Sequence, residues 1–275
     1  MKSFEKKVAV ITGAASGIGR ALAVGLANRG CDLAIADLDM DGLGETSEMV
    51  KAVGVRVIPR RLDVADAEAM KKFAAEVVEY FGKADIIVNN AGIAIIALVE
   101  EMNHDAFSRV MAVNFWGVYN GVTAFLPYLR KQANGHIVNI SSVFGLWGIP
   151  TQAAYNCSKF AVRGLSESLA QELAGTGIIV SCVYPGGIRT NIARRANFHQ
   201  GFGPMKNKEM FTKLFDKLSI TSPEKAAAVI IRGIRARRAR ILIGPDAYLL
   251  DFIQRFFPAL YQKIIPTILK WKKFF

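Results

Sequence analysis

Val8-Ala9-Val10-Ile11-Thr12-Gly13-Ala14-Ala15-Ser16-Gly17-Ile18-Gly19 is the stretch that decides the fold. Its first five residues form a β-branched apolar run of strand length, and the chain beyond Gly17 has helical spacing. A glycine-rich turn joins the two. At such a junction glycines let the backbone approach a pyrophosphate, which the N–H groups and dipole of the helix N-terminus attract. A glycine-rich turn alone is a weak signal. The strand before it and the helix after it make a dinucleotide site the expectation, with Gly13, Ser16, Gly17, Ile18 and Gly19 as contacts.

Outward from this turn the same alternation repeats. Strand-like runs occupy residues 32–37, 55–60, 85–89, 136–141, 178–183 and 240–243, with helix-length segments between them. Seven such strands imply an α/β protein with a parallel sheet covered on both faces, and right-handed crossovers make it doubly wound. Ser222-Pro223-Glu224 reads as a helix start, and Gly30 after Asn28-Arg29 as a helix stop. Ligands of such sheets bind beyond the carboxyl ends of the strands. The chemistry-bearing residues fall there.

The second strand ends at Asp37, eighteen positions after Gly19. A carboxylate here accepts hydrogen bonds from the adenosine ribose hydroxyls and repels a 2′-phosphate, which favours NAD over NADP. Leu38 offers no compensating charge, and Arg20 lies one position into the helix. Alternatively, Asp37 begins a polar loop with Asp39 and Asp41. Further on, Tyr155 and Lys159 stand four apart in a segment, 152–173, that reads as a helix, so they share a face; Ser142 closes the preceding strand. A phenol with a pKa near 10 is a poor acid or base at neutral pH, and an adjacent ammonium lowers that value. Taken alone, such a pair is commonly surface decoration.

Together, Thr12-Gly13-x-x-x-Gly17-x-Gly19, Asn89-Asn90-Ala91-Gly92, Asn114, Ser142, Tyr155-x-x-x-Lys159 and Pro185-Gly186 resemble the short-chain dehydrogenase/reductase family in order and spacing over residues 6–245. The resemblance implies a Rossmann-type, mainly parallel seven-stranded sheet with helices on both faces. One domain, 1–245, then carries cofactor and catalysis, and hydride passes between NAD(H) and an alcohol/ketone or alcohol/aldehyde pair. By the same resemblance Ser142 binds the substrate oxygen, while strand alternation turns Ser141 away. Tyr155 gives or takes the proton, and Lys159 holds the nicotinamide ribose and lowers the tyrosine pKa. Asn114 holds a water in a proton relay, a role compatible with a helix-kinking polar core residue. Asp63 and Val64 meet the adenine edge, although Asp63 also reads as a helix N-cap. Asn90, Ala91 and Gly92 line the cofactor; Pro185, Gly186, Ile188 and Thr190 receive the nicotinamide carboxamide. The family also implies a homodimer or homotetramer through helices at 105–130 and 152–173.

Other stretches are individual. Residues 191–221, where the family carries a substrate lid, contain Phe198, Phe202, Met205, Met210, Phe211, Leu214 and Phe215. With residues 93–98 and 143–149, including Phe144, Leu146 and Trp147, they suggest a lipophilic substrate such as a steroid, retinoid, terpenoid or long-chain acyl carbonyl. The competing account is that these aromatics pack the lid onto the body. The extension 246–275 is amphipathic: Tyr248, Leu249, Phe252, Ile253, Phe256, Phe257 and Leu260 recur at helical spacing, Pro258 and Pro266 interrupt them, and Lys270, Trp271, Lys272, Lys273 and Phe274 follow. It is too short in apolar run to span a bilayer. Two readings stand: contact with an anionic membrane surface, or packing against pocket or subunit.

The net charge of +12 is concentrated late, with Arg232, Arg235, Arg237, Arg238 and Arg240 close together. No readout module accompanies it, so a nucleic-acid partner is not expected. Cys31, Cys157 and Cys182 are too few and too scattered for a disulfide framework or a metal site, and read as buried thiols in a reducing compartment. The charged N-terminus has no secretory pattern, so a cytoplasmic location is expected, with peripheral membrane contact through the tail. A catalytically silent nucleotide- or lipid-binding sensor is the contrasting function. The intact set Asn114, Ser142, Tyr155 and Lys159 argues for the enzyme.

Overall fold

The computed structural model describes residues 3–198 and 207–263. Its strands are β1 (Val8–Thr12), β2 (Asp32–Asp37), β3 (Val57–Arg61), β4 (Ile86–Asn89), β5 (Ile95–Ile96), β6 (Gly135–Ile140), β7 (Ile178–Pro185), β8 (Asn197–Phe198) and β9 (Arg240–Ile243). Seven of them form one sheet in the order β3-β2-β1-β4-β6-β7-β9, with every pairing parallel. The expected α/β Rossmann-type sheet is therefore present.

Side-chain alternation explains why these strands are apolar throughout. β1 sends Ala9 and Ile11 into one core and Val8 and Val10 into another; β2 divides Leu33 and Ile35 from Ala34 and Ala36 in the same way. A strand covered on both faces has no side to offer water. The first core lies under α1 (Gly17–Ala27), α2 (Met40–Lys51) and α9 (Pro223–Arg235), and the second under α3 (Ala67–Phe81), α5 (Gly117–Gln132) and α6 (Ala153–Glu172). The remaining described helices are α4 (His104–Met111), α7 (Ile192–Arg195), α8 (Lys208–Leu218) and α10 (Pro245–Phe256). Ser222 caps α9 with Pro223 in its first turn, as its sequence predicts.

The chain runs outward from β1 to β2 and β3, then returns to lay β4 on the other flank of β1. Where the order reverses, a crevice opens at the carboxyl ends of the strands. The turn after β1 and the loop after β4 are its two lips.

Three features depart from the sequence reading. The helix expected over 105–130 is not continuous: a π-helical turn, Ala112–Trp116, separates α4 from α5 and carries Asn114. The lid stretch opens with α7 (Ile192–Arg195) and continues into β8, paired in parallel to β5, while Phe202 and Met205 lie outside the described residues. Cys31 and Cys182 are buried as expected, but Cys157 is exposed on α6.

The stripe at 248–260 also divides. Leu250 and Ile253 pack inward with Leu146, Trp147, Tyr184 and Tyr261, whereas Tyr248, Leu249, Phe252, Phe256, Phe257 and Leu260 face solvent. Trp147 donates its indole N–H to the Leu250 carbonyl at 2.9 Å and stacks on Tyr261 with centroids 4.4 Å apart. Leu146 and Trp147, expected as pocket walls, are thus buried beneath α10. Lys270, Trp271, Lys272, Lys273 and Phe274, like Pro266, lie outside the described residues. No described helix is long and apolar enough to cross a membrane.

Candidate active site

The turn after β1 is shaped by close backbone approach. Gly13 has φ +67°, and a Cβ there would lie 2.7 Å from the Ala91 Cα. A Cβ on Gly19 would overlap the Gly13 carbonyl. The loop after β4 is stitched to the same turn. The Thr12 hydroxyl accepts from the N–H groups of Asn90 at 3.1 Å and Ala91 at 3.2 Å, and the Asn90 amide donates to the carbonyls of Thr12 and Gly13, both at 2.9 Å. The Asn90 side chain therefore shapes the site by holding the turn. Ser16 stands at the N-cap position of α1 and makes no capping bond; Ile18 leans on the core.

At the end of β2, Asp37 accepts from Ala15 N at 3.0 Å and Asp39 N at 3.1 Å. Its carboxylate is thereby fixed against the glycine-rich turn. Arg20 is held by the Gly42 carbonyl at 3.0 Å and Glu45 at 2.7 Å, and Leu38 is an exposed apolar side chain. The glycine cradle and the helix N-terminus fit the pyrophosphate of a dinucleotide.

Asp63 accepts from Ala65 N at 3.0 Å and pairs with Arg109 at 3.2 Å. It does not cap α3, because Asp66 does so through Glu68 N and Ala69 N. Val64 is buried, and its carbonyl accepts from the Asn120 amide at 3.0 Å.

The residues expected to be catalytic gather near the carboxyl end of β6. Ser141 donates to the Lys159 carbonyl at 2.8 Å, the direction that strand alternation predicts. Ser142 faces the other way; its hydroxyl accepts from Phe144 N at 3.1 Å and acts to lower the pKa of the Tyr155 phenol. Lys159 is buried, donates to the Ile140 carbonyl at 2.9 Å, and lies 5.5 Å from the Tyr155 ring centre. Asn114 accepts from Ile93 N at 2.8 Å and donates to the Ile93 carbonyl at 3.0 Å and the Ser158 hydroxyl at 3.1 Å. Both hydrogens of its amide are committed to protein acceptors. The side chain clamps the loop after β4 onto α6, and a Cβ on Gly92 would sit 3.3 Å from Asn114 Oδ1 and 3.5 Å from Lys159 Nζ.

Burial pushes the Tyr155 phenol up to about 12, with Ser142 opposing the shift. Burial also lowers Lys159 to about 8. With the ammonium held by the Ile140 carbonyl and set back from the ring, desolvation of the phenolate wins. At neutral pH the phenol keeps its proton.

Two further positions were not evident in the sequence. Thr151, buried before α6, has φ +67°, a costly conformation for a β-branched residue; its carbonyl accepts from Ala97 N at 3.0 Å. Its bend leads the chain into the helix that bears Tyr155. After β7, Pro185 and Gly186 lead to Ile188, which bridges to Thr221, and to Thr190, whose methyl would be 3.1 Å from a Cβ on Gly17. The turn after β7 thus lies beside the glycine-rich turn after β1. Gly187 N donates to Asp246 of α10 at 2.6 Å, a contact across 59 positions that no local pattern announces.

The family model described as short chain dehydrogenase matches residues 7–201. The chain is 45% identical over 268 residues to SadH of Mycobacterium tuberculosis, covering 96% of each. It is 37% identical over 227 residues to the 3-oxoacyl-[acyl-carrier-protein] reductase FabG of Thermotoga maritima, covering 82% of this chain and 89% of that one. Among solved structures, a short chain dehydrogenase/reductase from Burkholderia phymatum in complex with NAD superposes with a TM-score of 0.87 at 32% identity, covering 95% of this chain and 97% of the other.

Proposed function

Because the chain belongs to the short-chain dehydrogenase/reductase family and is an oxidoreductase of it, we propose that it moves hydride between NAD(H) and a lipophilic secondary alcohol/ketone or alcohol/aldehyde pair. The observation that carries this reading is the Tyr155 phenol, with Ser142 acting on it and Lys159 5.5 Å from its ring centre, on the helix that follows the strand ending at Ser142. Ser142 and Tyr155 present two hydroxyls to one substrate oxygen. During reduction the Tyr155 Oη donates its proton to that oxygen; during oxidation it removes the proton. A bound nicotinamide supplies the hydride to the carbonyl carbon, or takes it from the carbinol carbon. Gly13, Gly17 and Gly19 admit the pyrophosphate, and Ile188 and Thr190 border the carboxamide. Asp63 and Val64 bound the adenine. Asp37 supports NAD as the partner, since its fixed carboxylate opposes a 2′-phosphate.

Support for a lipophilic substrate comes from Phe144, edge-on to Tyr155 at 6.3 Å, and from the lid. No side chain of α8 is buried, and Phe198, Phe211 and Phe215 form a row with centroids 6.4 and 6.5 Å apart. These rings are available to substrate. That FabG is named a 3-oxoacyl reductase points the same way. A homodimer or homotetramer is supported by Trp116, Tyr119 and Phe160, exposed at the start of α5 and on α6. The outer face of α10 supports contact with an anionic membrane surface: it sets Tyr248 beside Arg232, Arg235 and Arg238 around a cavity of about 710 Å³.

A panel of lipophilic ketones and aldehydes with NADH, followed at the reduced cofactor's absorbance, tests the reading. Turnover is expected to rise with the apolar size of the substrate. Tight NADH binding without turnover on any member would favour the silent sensor.

A further inference from the structure

The turn after β7 has a partner outside the catalytic set. The Asp246 carboxylate, in the first turn of α10, reaches back and accepts the Gly187 N–H at 2.6 Å. The chain is cut to fit it: a Cβ on either Gly186 or Gly244 would overlap this carboxylate. Its second oxygen, Oδ1, is buried and has no hydrogen-bond partner among the described residues. The same turn is braced from its other edge, where Gly187 O accepts from Thr221 N at 3.2 Å and Thr221 O accepts from Arg189 N at 2.9 Å.

α10 is a firm base for this contact. The Leu250 carbonyl holds the Trp147 indole at 2.9 Å, and Asp251 pairs with Arg240 and with Arg255. One helix therefore ties the segment after Ser142 to the turn after β7. A carboxylate on an anchored helix, bonded to one backbone N–H of a loop, fixes where the next residues lie. Those residues are Ile188 and Thr190.

We propose that Asp246 is a positioning residue for the nicotinamide half of the dinucleotide site, holding the turn that receives the carboxamide. The proposal rests on the cofactor reading above. It separates the two halves of the ligand, since Asp246 lies far from the adenosine contacts at Asp37 in the order of the sheet, with β7 and β2 separated by β1, β4 and β6.

Calorimetric titration of NADH and of ADP-ribose, which lacks the nicotinamide, tests it in the full-length protein. For Asp246→Ala the Kd for NADH is expected to rise roughly tenfold, the scale of one charge-assisted hydrogen bond, with ADP-ribose within about twofold of the unsubstituted protein. Asp246→Asn keeps the size and one acceptor, so it folds and shows the same split at about threefold. An NADH affinity unchanged in both variants would overturn the proposal, as would equal losses for both ligands, which mark a general structural role. If the unsubstituted protein binds neither ligand, the cofactor reading itself falls, and this proposal with it.

Discussion

Replacing Asp37 by Ala and Leu38 by Arg is expected to move the protein from NAD towards NADP. The Asp37 carboxylate is fixed by Ala15 N at 3.0 Å and Asp39 N at 3.1 Å, so it cannot swing away from an incoming phosphate without losing two backbone bonds. A carboxylate and a doubly charged phosphate about 6 Å apart repel by roughly 1.4 kcal/mol in bulk water and about 3 kcal/mol where the effective dielectric constant falls to ~40. Removing that charge should therefore relax discrimination by about ten- to a hundredfold, and the arginine adds attraction where Leu38 now offers none. Loss of the two backbone bonds weakens both cofactors together and cancels in the ratio. The assay is fluorescence titration of NADH and NADPH against both proteins at fixed salt, since the repulsion is screened. Tighter binding of NADPH by the unsubstituted protein, or a ratio that moves less than twofold in the variant, would refute the reasoning.

Two other outcomes are expected. His136 is buried against Ser181 at 2.7 Å, and burial lowers it from 6.5 to about 3, so the unfolded chain binds the extra proton. Stability is then full above pH 6.5 and falls as the pH drops towards 3, by about 2 kcal/mol at pH 5; denaturant melts should show this loss and His136→Asn should flatten it. In liposome flotation the full-length protein should rise with anionic vesicles at low salt and stay with the soluble fraction after removal of residues 246–275 or substitution of Phe252 and Phe256 by Ser; absence of flotation at low salt would leave the packing account.

The strands were legible because burial on both faces leaves an unbroken apolar run, as in β1 and β2, and the grouping of Ser142, Tyr155 and Lys159 was legible because their spacing is tied to one strand end and one helix face. What sequence spacing does not contain is depth. Tyr155 and Lys159 are four apart in any helix, but whether the ammonium or the desolvation controls the phenol depends on how far the pair is sunk and on the Ile140 carbonyl that holds Lys159. The π-helical turn is similar: Asn114 is visible as a polar residue in a helix, while the Ile93 backbone that it grips is twenty-one positions away. The stripe on α10 read as one face because hydrophobicity alone does not distinguish Ile253, which packs inward, from Phe252, which does not. Asp246 gave no local signal, since its partner among the described residues is a backbone N–H on a distant turn.

The central claim is that Tyr155 transfers the proton in a nicotinamide-dependent redox reaction, and Tyr155→Phe tests it most directly on whichever carbonyl the unsubstituted protein reduces. The phenol contributes one hydroxyl, and the glycine cradle and Asp37 remain. Turnover should therefore fall by about a thousandfold or more, while the Kd for NADH stays within about threefold. Near-normal turnover by the Phe variant, with NADH still bound, would contradict the account.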